Sequence, residues 1–204
     1  MTLFPSFAAN LEQQEWRYAK IILAVSGGID SMCMALLFAQ AKQYFTKSPY
    51  GLAGFDFVIA HCNFQLRGED SEQDAALVKD WAALKGIPYY QNTFDTPEII
   101  KEEGNVQIVA RRLRYEWFEA LRKELNFDYI ATAHHQQDSV ETLLMNFFKG
   151  TGIEGLHGIL PEKGRIIRPL LSFNKTDIAA YAAQEKLVWR EDVSNQKTDY
   201  LRNK

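Results

Sequence analysis

Cysteine is scarce in this chain, and its placement excludes the usual cysteine chemistries. Cys33 lies in an apolar, helix-like run and Cys62 near the end of a strand-like one. The pair fits neither a disulfide framework nor a Cys-x-x-Cys metal or redox motif, and both read as packing residues. Long apolar runs are missing as well: each is broken well before the roughly eighteen residues a membrane span needs. The N-terminus has no basic segment followed by an apolar stretch and a cleavage site. These absences predict a cytoplasmic protein with no membrane partner. Charge of one sign is also lacking, since the formal net charge is only -3. Attraction to a nucleic acid would therefore have to come from local basic patches or from a separate domain. Internal repeats, low-complexity tracts and an interdomain linker are absent too, so 204 residues at 47% hydrophobic and 24% charged predict one main domain with a sizeable core.

What is present is an alternation of strand-like and helix-like segments, the pattern of a mostly parallel sheet covered by helices on both faces. Strands are predicted at Lys20 to Val25, Phe57 to His61, Pro88 to Phe94 and Tyr129 to Ala133, with a short one at Ile166 and Ile167. Met32 to Phe38 reads as a helix buried on most sides, and Ser71 to Lys85 as another. Val106, Val109, Ala110, Leu113, Trp117 and Leu121 recur at helical spacing, so a long amphipathic helix follows a loop over 96–104. Val140, Leu143, Leu144, Phe147 and Phe148 also fall on one helical face, predicted to be buried. Residues 150–164 read as a glycine-rich loop, and Asn174 can cap a last helix running to about Lys186.

The strongest local signal follows the first strand: Ser26, Gly27, Gly28, Ile29, Asp30 and Ser31, after which a helix begins. A strand, a turn of small residues and a helix N-terminus make an anion site, because free backbone N–H groups and the positive end of the helix dipole converge there. The glycines allow close approach of a phosphate, and the two serine hydroxyls can donate to it. The lysine of a common phosphate loop is missing, which argues against ordinary γ-phosphoryl transfer. Asp30 would repel a bare phosphate, so its presence suggests a bridging Mg²⁺, held directly or through water. The plainer alternative is a strand-to-helix turn capped by Asp30 and Ser31.

This hexapeptide resembles the pyrophosphate loop, Ser-Gly-Gly-x-Asp-Ser, of the N-type ATP pyrophosphatase (PP-loop) superfamily. Further tracts resemble one family within it, the tRNA(Ile)-lysidine synthetases: Ala60-His61-Cys62-Asn63 with Leu66-Arg67-Gly68, Ala110-Arg111 with Arg114-Tyr115, and Ala131-Thr132-Ala133-His134-His135 with Asp138 and Glu141-Thr142. Gly150-Thr151-Gly152, Arg168-Pro169-Leu170-Leu171, Trp189-x-Glu191-Asp192-x-Ser194-Asn195 and Tyr200-x-Arg202-Asn203 continue the match over nearly the whole chain. The resemblance implies a doubly wound, Rossmann-like α/β fold of the adenine nucleotide alpha hydrolase type, with ATP and Mg²⁺ on the loop. It implies adenylation of a base oxygen in the wobble cytidine of CAU-anticodon isoleucine tRNA, then displacement of AMP by free L-lysine to give lysidine. By the same resemblance residues 1–204 form the N-terminal catalytic domain of a truncated chain whose C-terminal tRNA-binding parts are absent. It leaves a homodimer open. Rival readings are a tRNA thiolase, for which the paired cysteines are missing, an amide-forming synthetase, and a nucleotide-binding module without catalysis.

Several other residues carry candidate chemistry. His61 stands at the predicted C-terminal end of the second strand, where open α/β sheets bind ligands, and either faces the nucleotide or packs in the core. Arg111 and Arg114 lie three apart on the long helix, and Arg114 borders its apolar stripe, so an anionic partner is expected: ATP phosphate, RNA phosphate or a structural carboxylate. The resemblance favours Arg111 as the catalytic arginine, neutralising charge on phosphorus. Asp138 and Glu141 open the helix after the fourth strand. They read as dipole caps or, given the shared sheet edge, as catalytic or metal ligands, with Asp30 and Asp138 as the Mg²⁺ candidates. Arg67, Arg114, His134 and His135 are assigned to substrate by the resemblance. Glu191 and Asp192 either select the lysine ammonium or form a solvated acidic pair. Gln137 and Phe64 depart from the family, which commonly has an acid and a second histidine there. Gly150, Gly152 and Gly155 match a dinucleotide pattern but follow a helix rather than a strand, so they read as a helix stop and a mobile active-site loop, which the resemblance puts near the RNA or the acceptor amine.

Overall fold

A computed structural model describes residues 3–47, 55–96, 105–150 and 157–190. Strand β1 (Lys20–Ala24) is the middle of the sheet and is apolar on both sides, as a central parallel strand must be. It pairs in parallel with β2 (Asp56–Asn63) on one side and with β4 (Tyr129–Ala131) on the other. Strand β3 (Tyr89–Thr93) extends the sheet beyond β2, and β6 (Ile166–Ile167) extends it beyond β4. Two residues, Glu162–Lys163, form β5, which pairs antiparallel with β6. The order is β3-β2-β1-β4-β6-β5. The chain thus winds outward from β1 to β3 and then returns to the far side of β1. At that reversal the C-terminal ends of β1 and β4 lie side by side, and a doubly wound sheet opens a crevice there.

Alternation along the strands sorts side chains into two cores. Ile21, Leu23, Phe57, Ile59 and Ala131 face a large cluster built with helices α1 (Leu3–Gln13), α2 (Ile29–Lys47), α3 (Glu69–Leu84) and α6 (Lys175–Gln184). Ile22, Val58, Ala60 and Ile130 face Phe118 and Leu121 of α4 (Val106–Glu124) on the opposite side. Caps set the helix starts: Asn105 accepts from the backbone of Gln107 and Ile108, and Asn174 from that of Asp177, as Asn at an N-cap should. The doubly wound α/β expectation is met.

Three local expectations are corrected. The N-terminal helix α1 was not anticipated, although Leu3, Phe7 and Leu11 repeat every four residues and are buried. Helix α2 begins at Ile29, so Ile29, Asp30 and Ser31 form its first turn rather than preceding it, and it continues to Lys47. Helix α5 (Gln136–Phe148) has the foreseen apolar stripe, yet none of its residues is buried, and Phe148 is 80% exposed. Periodicity reports that a stripe exists, and only packing reports whether a neighbour covers it.

Phe7 is fully buried against Phe38, with ring centroids 5.4 Å apart in an edge-to-face arrangement. Replacement Phe7→Ala is expected to cost about 3–4 kcal/mol through lost burial and a residual cavity, read as a lower urea midpoint with an unchanged m-value.

Candidate nucleotide site

Val25 ends the first strand with its N–H on Ala60 O at 3.0 Å, and its own carbonyl accepts from His61 Nδ1 at 2.8 Å. A carbonyl can only accept, so His61 carries its proton on Nδ1. The ring is buried and burial lowers its pKa, so it stays neutral while bracing the strand end. Its contact is with the root of the loop.

The loop itself is tied by its serines. Ser26 N donates to Ser31 Oγ at 3.1 Å, the two hydroxyls lie 3.1 Å apart, and Ser31 Oγ donates to Gly28 O at 2.9 Å. Gly27 adopts φ +97, a conformation that side-chain-bearing residues avoid. Its open face rests on α3, where an added Cβ would lie 3.5 Å from the Asp74 Cβ. Gly28 O accepts the first helical bond of α2, from Met32 N at 3.0 Å, so the helix dipole begins at the loop. Ile29 turns into the core beside it.

An acid–histidine–acid group joins Asp30 of the loop to His135 and Asp138, which the end of β4 brings in. His135 Nε2 is 3.8 Å from Asp30 Oδ2, and His135 Nδ1 is 3.5 Å from Asp138 Oδ2. Asp138 Oδ2 also caps α5 by accepting from His135 N at 2.8 Å. Asp30 Oδ1 and His135 Nδ1 are buried without a hydrogen-bond partner. Burial raises the Asp30 pKa, helped by the neighbouring Asp138 and opposed by His135 and Lys175. His134 hydrogen-bonds through Nδ1 with Thr132 Oγ1 at 2.9 Å, and burial lowers its pKa against the pull of Asp138.

Other residues singled out in the sequence divide. Arg67 pairs with Asp74 at 2.6 Å, flanking the loop. Arg111 is exposed and lies over the Tyr115 ring at 4.9 Å. Arg114 lies 5.3 Å over Phe64, which in turn stacks on Phe94 at 5.1 Å. Among the described residues no carboxylate pairs with Arg114. Glu141 is exposed on α5. Glu191, Asp192 and residues 151–156 lie outside the described residues. Gly150, at φ +67 after the last turn of α5, is the foreseen helix stop. The family departure at Gln137 has a local explanation: its Oε1 accepts from Lys175 N at 2.9 Å, at the start of α6.

Sequence reasoning missed Arg190 and Asp74. Arg190 N donates to Gly27 O at 3.0 Å, while its side chain donates to Asp74 at 2.7 Å, Gln73 at 2.6 Å and Asp70 at 2.8 Å. Asp74 therefore accepts from both Arg67 and Arg190, and the segment just before Glu191 is latched to the loop and to α3. A buried acid on the core side of α3, beside Ala75 and Val78, was the available signal.

The crevice at a strand reversal, a lysine-free phosphate loop and a helix N-terminus define an α/β nucleotide-binding domain. The chain belongs to the PP-loop domain family, whose pattern matches residues 5–204 and implies ATP binding. It is 41% identical over 184 residues to a tRNA(Ile)-lysidine synthase of Chlorobaculum tepidum, covering 90% of this chain and 53% of that protein. A tRNA(Ile)-lysidine synthase of Porphyromonas gingivalis is 39% identical over 186 residues, covering 90% of this chain and 38% of the relative. The chain thus spans about half, or less, of these relatives. A solved U34-tRNA thiolase, NcsA from Methanococcus maripaludis, shares the fold with a TM-score of 0.72 at 19% identity, over 92% of this chain and 65% of its own. Among the described residues no helix is long and apolar enough to cross a membrane.

Arg190→Ala removes three charge-assisted bonds and is expected to weaken ATP binding several-fold while costing only about 1–2 kcal/mol of stability, measured by calorimetric titration and denaturant melts. The two histidines also set a pH dependence. Both His61 and His134 sit below 6.5, so their contribution is present above that pH and is lost as pH falls and the unfolded chain takes up protons they refuse. Stability is expected to drop between pH 7.5 and 5.5, with a shallower slope for His134→Gln.

Proposed function

We propose that this domain catalyses the ATP-dependent joining of lysine to the wobble cytidine of CAU-anticodon isoleucine tRNA. The observation that carries the reading is the identity, over 90% of the chain, to proteins named tRNA(Ile)-lysidine synthase. The cysteines favour it over thiolation, since burial pushes both Cys33 and Cys62 thiols up to about 12, far from the thiolate that sulfur transfer needs.

In this reading the Ser26 to Ser31 turn offers backbone N–H groups and the α2 dipole to the β and γ phosphates of ATP. The base oxygen of cytidine forms a bond to the α phosphorus, and the bond to the β-phosphate oxygen breaks with loss of pyrophosphate. The lysine side-chain amine then bonds to the activated carbon, AMP departs with the oxygen, and the amine gives up a proton. Arg111 offsets charge on the phosphorus, and Glu191 and Asp192 receive the lysine ammonium. Arg67, Arg114, His134 and His135 line the acceptor side, with Glu141 near it on α5. His61 serves the nucleotide by holding Val25.

The Asp30–Asp138 pair fits Mg²⁺. Asp30 has a buried oxygen with no hydrogen-bond partner, and burial raises its pKa, a cost that a bound cation would offset. When bound, Mg²⁺ would supply charge neutralisation for the phosphates.

Incubation of the protein with this tRNA, radiolabelled lysine and ATP should put label into RNA and release AMP. Asp30→Ala should lower both by about 100-fold or more, given the size of charge-stabilising effects at reacting centres. AMP release that requires no RNA, or RNA that never acquires lysine, would overturn the assignment.

A further inference from the structure

The apolar stripe of α5 faces outward, against the ordinary rule that a helix turns its apolar face to the core. The half-buried positions of this helix are polar instead: Gln137, Asp138, Ser139, Thr142 and Asn146. Ser139, Thr142 and Asn146 fall at i, i+3 and i+7 on one helical face, with Asp138 at its edge. Because no α5 residue is buried, apolar packing does not fix the rotation of the helix about its axis. Directional bonds must do so, and Asp138 swings with that rotation.

Two sets of such bonds are present. At the first turn Gln136 N donates to Phe173 O at 2.9 Å, and Gln137 Oε1 accepts from Lys175 N at 2.9 Å. Along the inward face runs a strap, residues 157–161. Ile159 N donates to Ser139 Oγ at 3.0 Å, and two turns further along α5 the Asn146 Nδ2 donates to His157 O at 3.4 Å. Between these bonds Gly158 lies so close that an added Cβ would collide with Ser139 Oγ and stand 2.9 Å from Ser139 O. Any residue but glycine would have to move the helix or the strap.

Arg168, buried directly after β6, anchors the strap. Its backbone N–H donates to Pro161 O at 2.8 Å and its Nη1 to Leu160 O at 2.7 Å. Leu160 and Pro161 are exposed, so apolar burial does not hold that stretch. A buried guanidinium is a costly way to fill space, but a charged donor holds a carbonyl harder than a neutral one does. We infer that Ser139, Gly158 and Arg168 are positioning residues for Asp138: the strap, fastened to the sheet by Arg168, sets the rotation of α5 and so holds Asp138 against His135. Ser139 follows Asp138 directly, so the clamp acts one residue from the carboxylate. The inference rests on the proposed function only in giving Asp138 a part in the reaction.

The His135 N–H donates to Asp138 Oδ2 at 2.8 Å, so the His135 amide proton resonance reports where that carboxylate stands. A loss of global stability does not move that resonance while the protein stays folded. The test compares Gly158→Ala with the double variant Gly158→Ala/Ser139→Ala. In Gly158→Ala the His135 amide should shift upfield and exchange faster with solvent. Lysine transfer should lose about 10- to 100-fold in kcat, the usual cost of a misplacement near 1 Å, with affinity for a non-hydrolysable ATP analogue kept within about twofold. The double variant lacks the colliding hydroxyl and should recover part of both losses. An unmoved His135 amide in folded Gly158→Ala would mean that the strap yields instead of α5, and would overturn the clamp. So would an ATP-analogue affinity that falls as far as kcat, because the strap would then act on the nucleotide loop. Should Gly158→Ala fail to fold, Ser139→Ala, which removes only the bond from Ile159, decides by the same resonance. If the unaltered protein transfers no lysine, the proposed reaction fails and the His135 amide still decides the clamp.

Discussion

The turn at Gly27 must stay open at the end of a buried strand, and much of the molecule is arranged to hold it there. Its φ of +97 is available to glycine at little cost, but nothing in the turn's own chain compels it. Strand β2 grips the root through Ala60 and His61, α3 supplies the wall at Asp74, and Arg190 seizes the Gly27 carbonyl from a segment over 160 positions later. The serine hydroxyls complete the turn from within. A loop so bounded pays little ordering entropy when an anion arrives, which is the physical meaning of preorganisation.

Charge is distributed unevenly around that turn. On the β1–β4 side, Asp30 and Asp138 bracket His135, and burial holds the Asp30 carboxyl above its ordinary pKa. On the β4–β6 side, the buried Arg168 donates through its backbone and Nη1 to the carbonyls of Pro161 and Leu160. Stored electrostatic strain of this kind clusters at functional sites because the protein's stability is borne by its apolar cores instead.

Much of the fold was legible in the residues. Continuous apolar runs marked β1 and β2, helical spacing marked α4, and Asn174 marked the start of α6. The Ser26 to Ser31 hexapeptide marked a strand-to-helix turn, because glycines and hydroxyls stand directly before a helix start. Helix α1 escaped because its stripe is short and carries Pro5 in its first turn. The α5 stripe was seen but its burial misjudged, since a pattern along one segment says nothing of what lies across from it. Gln137 looked like a lost acid and turned out to hold the first residue of α6, a contact between segments 38 positions apart.

Local chemistry, then, was determined by the sequence itself: which segments pair or coil, where an anion can meet free backbone amides, and which side chains titrate. Those properties depend on near neighbours in the chain. Only the tertiary structure decided that Asp74 is shared by Arg67 and Arg190, that His61 braces Val25, and that the buried Arg168 donates to the Leu160 carbonyl. Such pairings join residues far apart in sequence, and they are fixed by the strand order, which brings the ends of β1, β4 and β6 to one edge of the sheet.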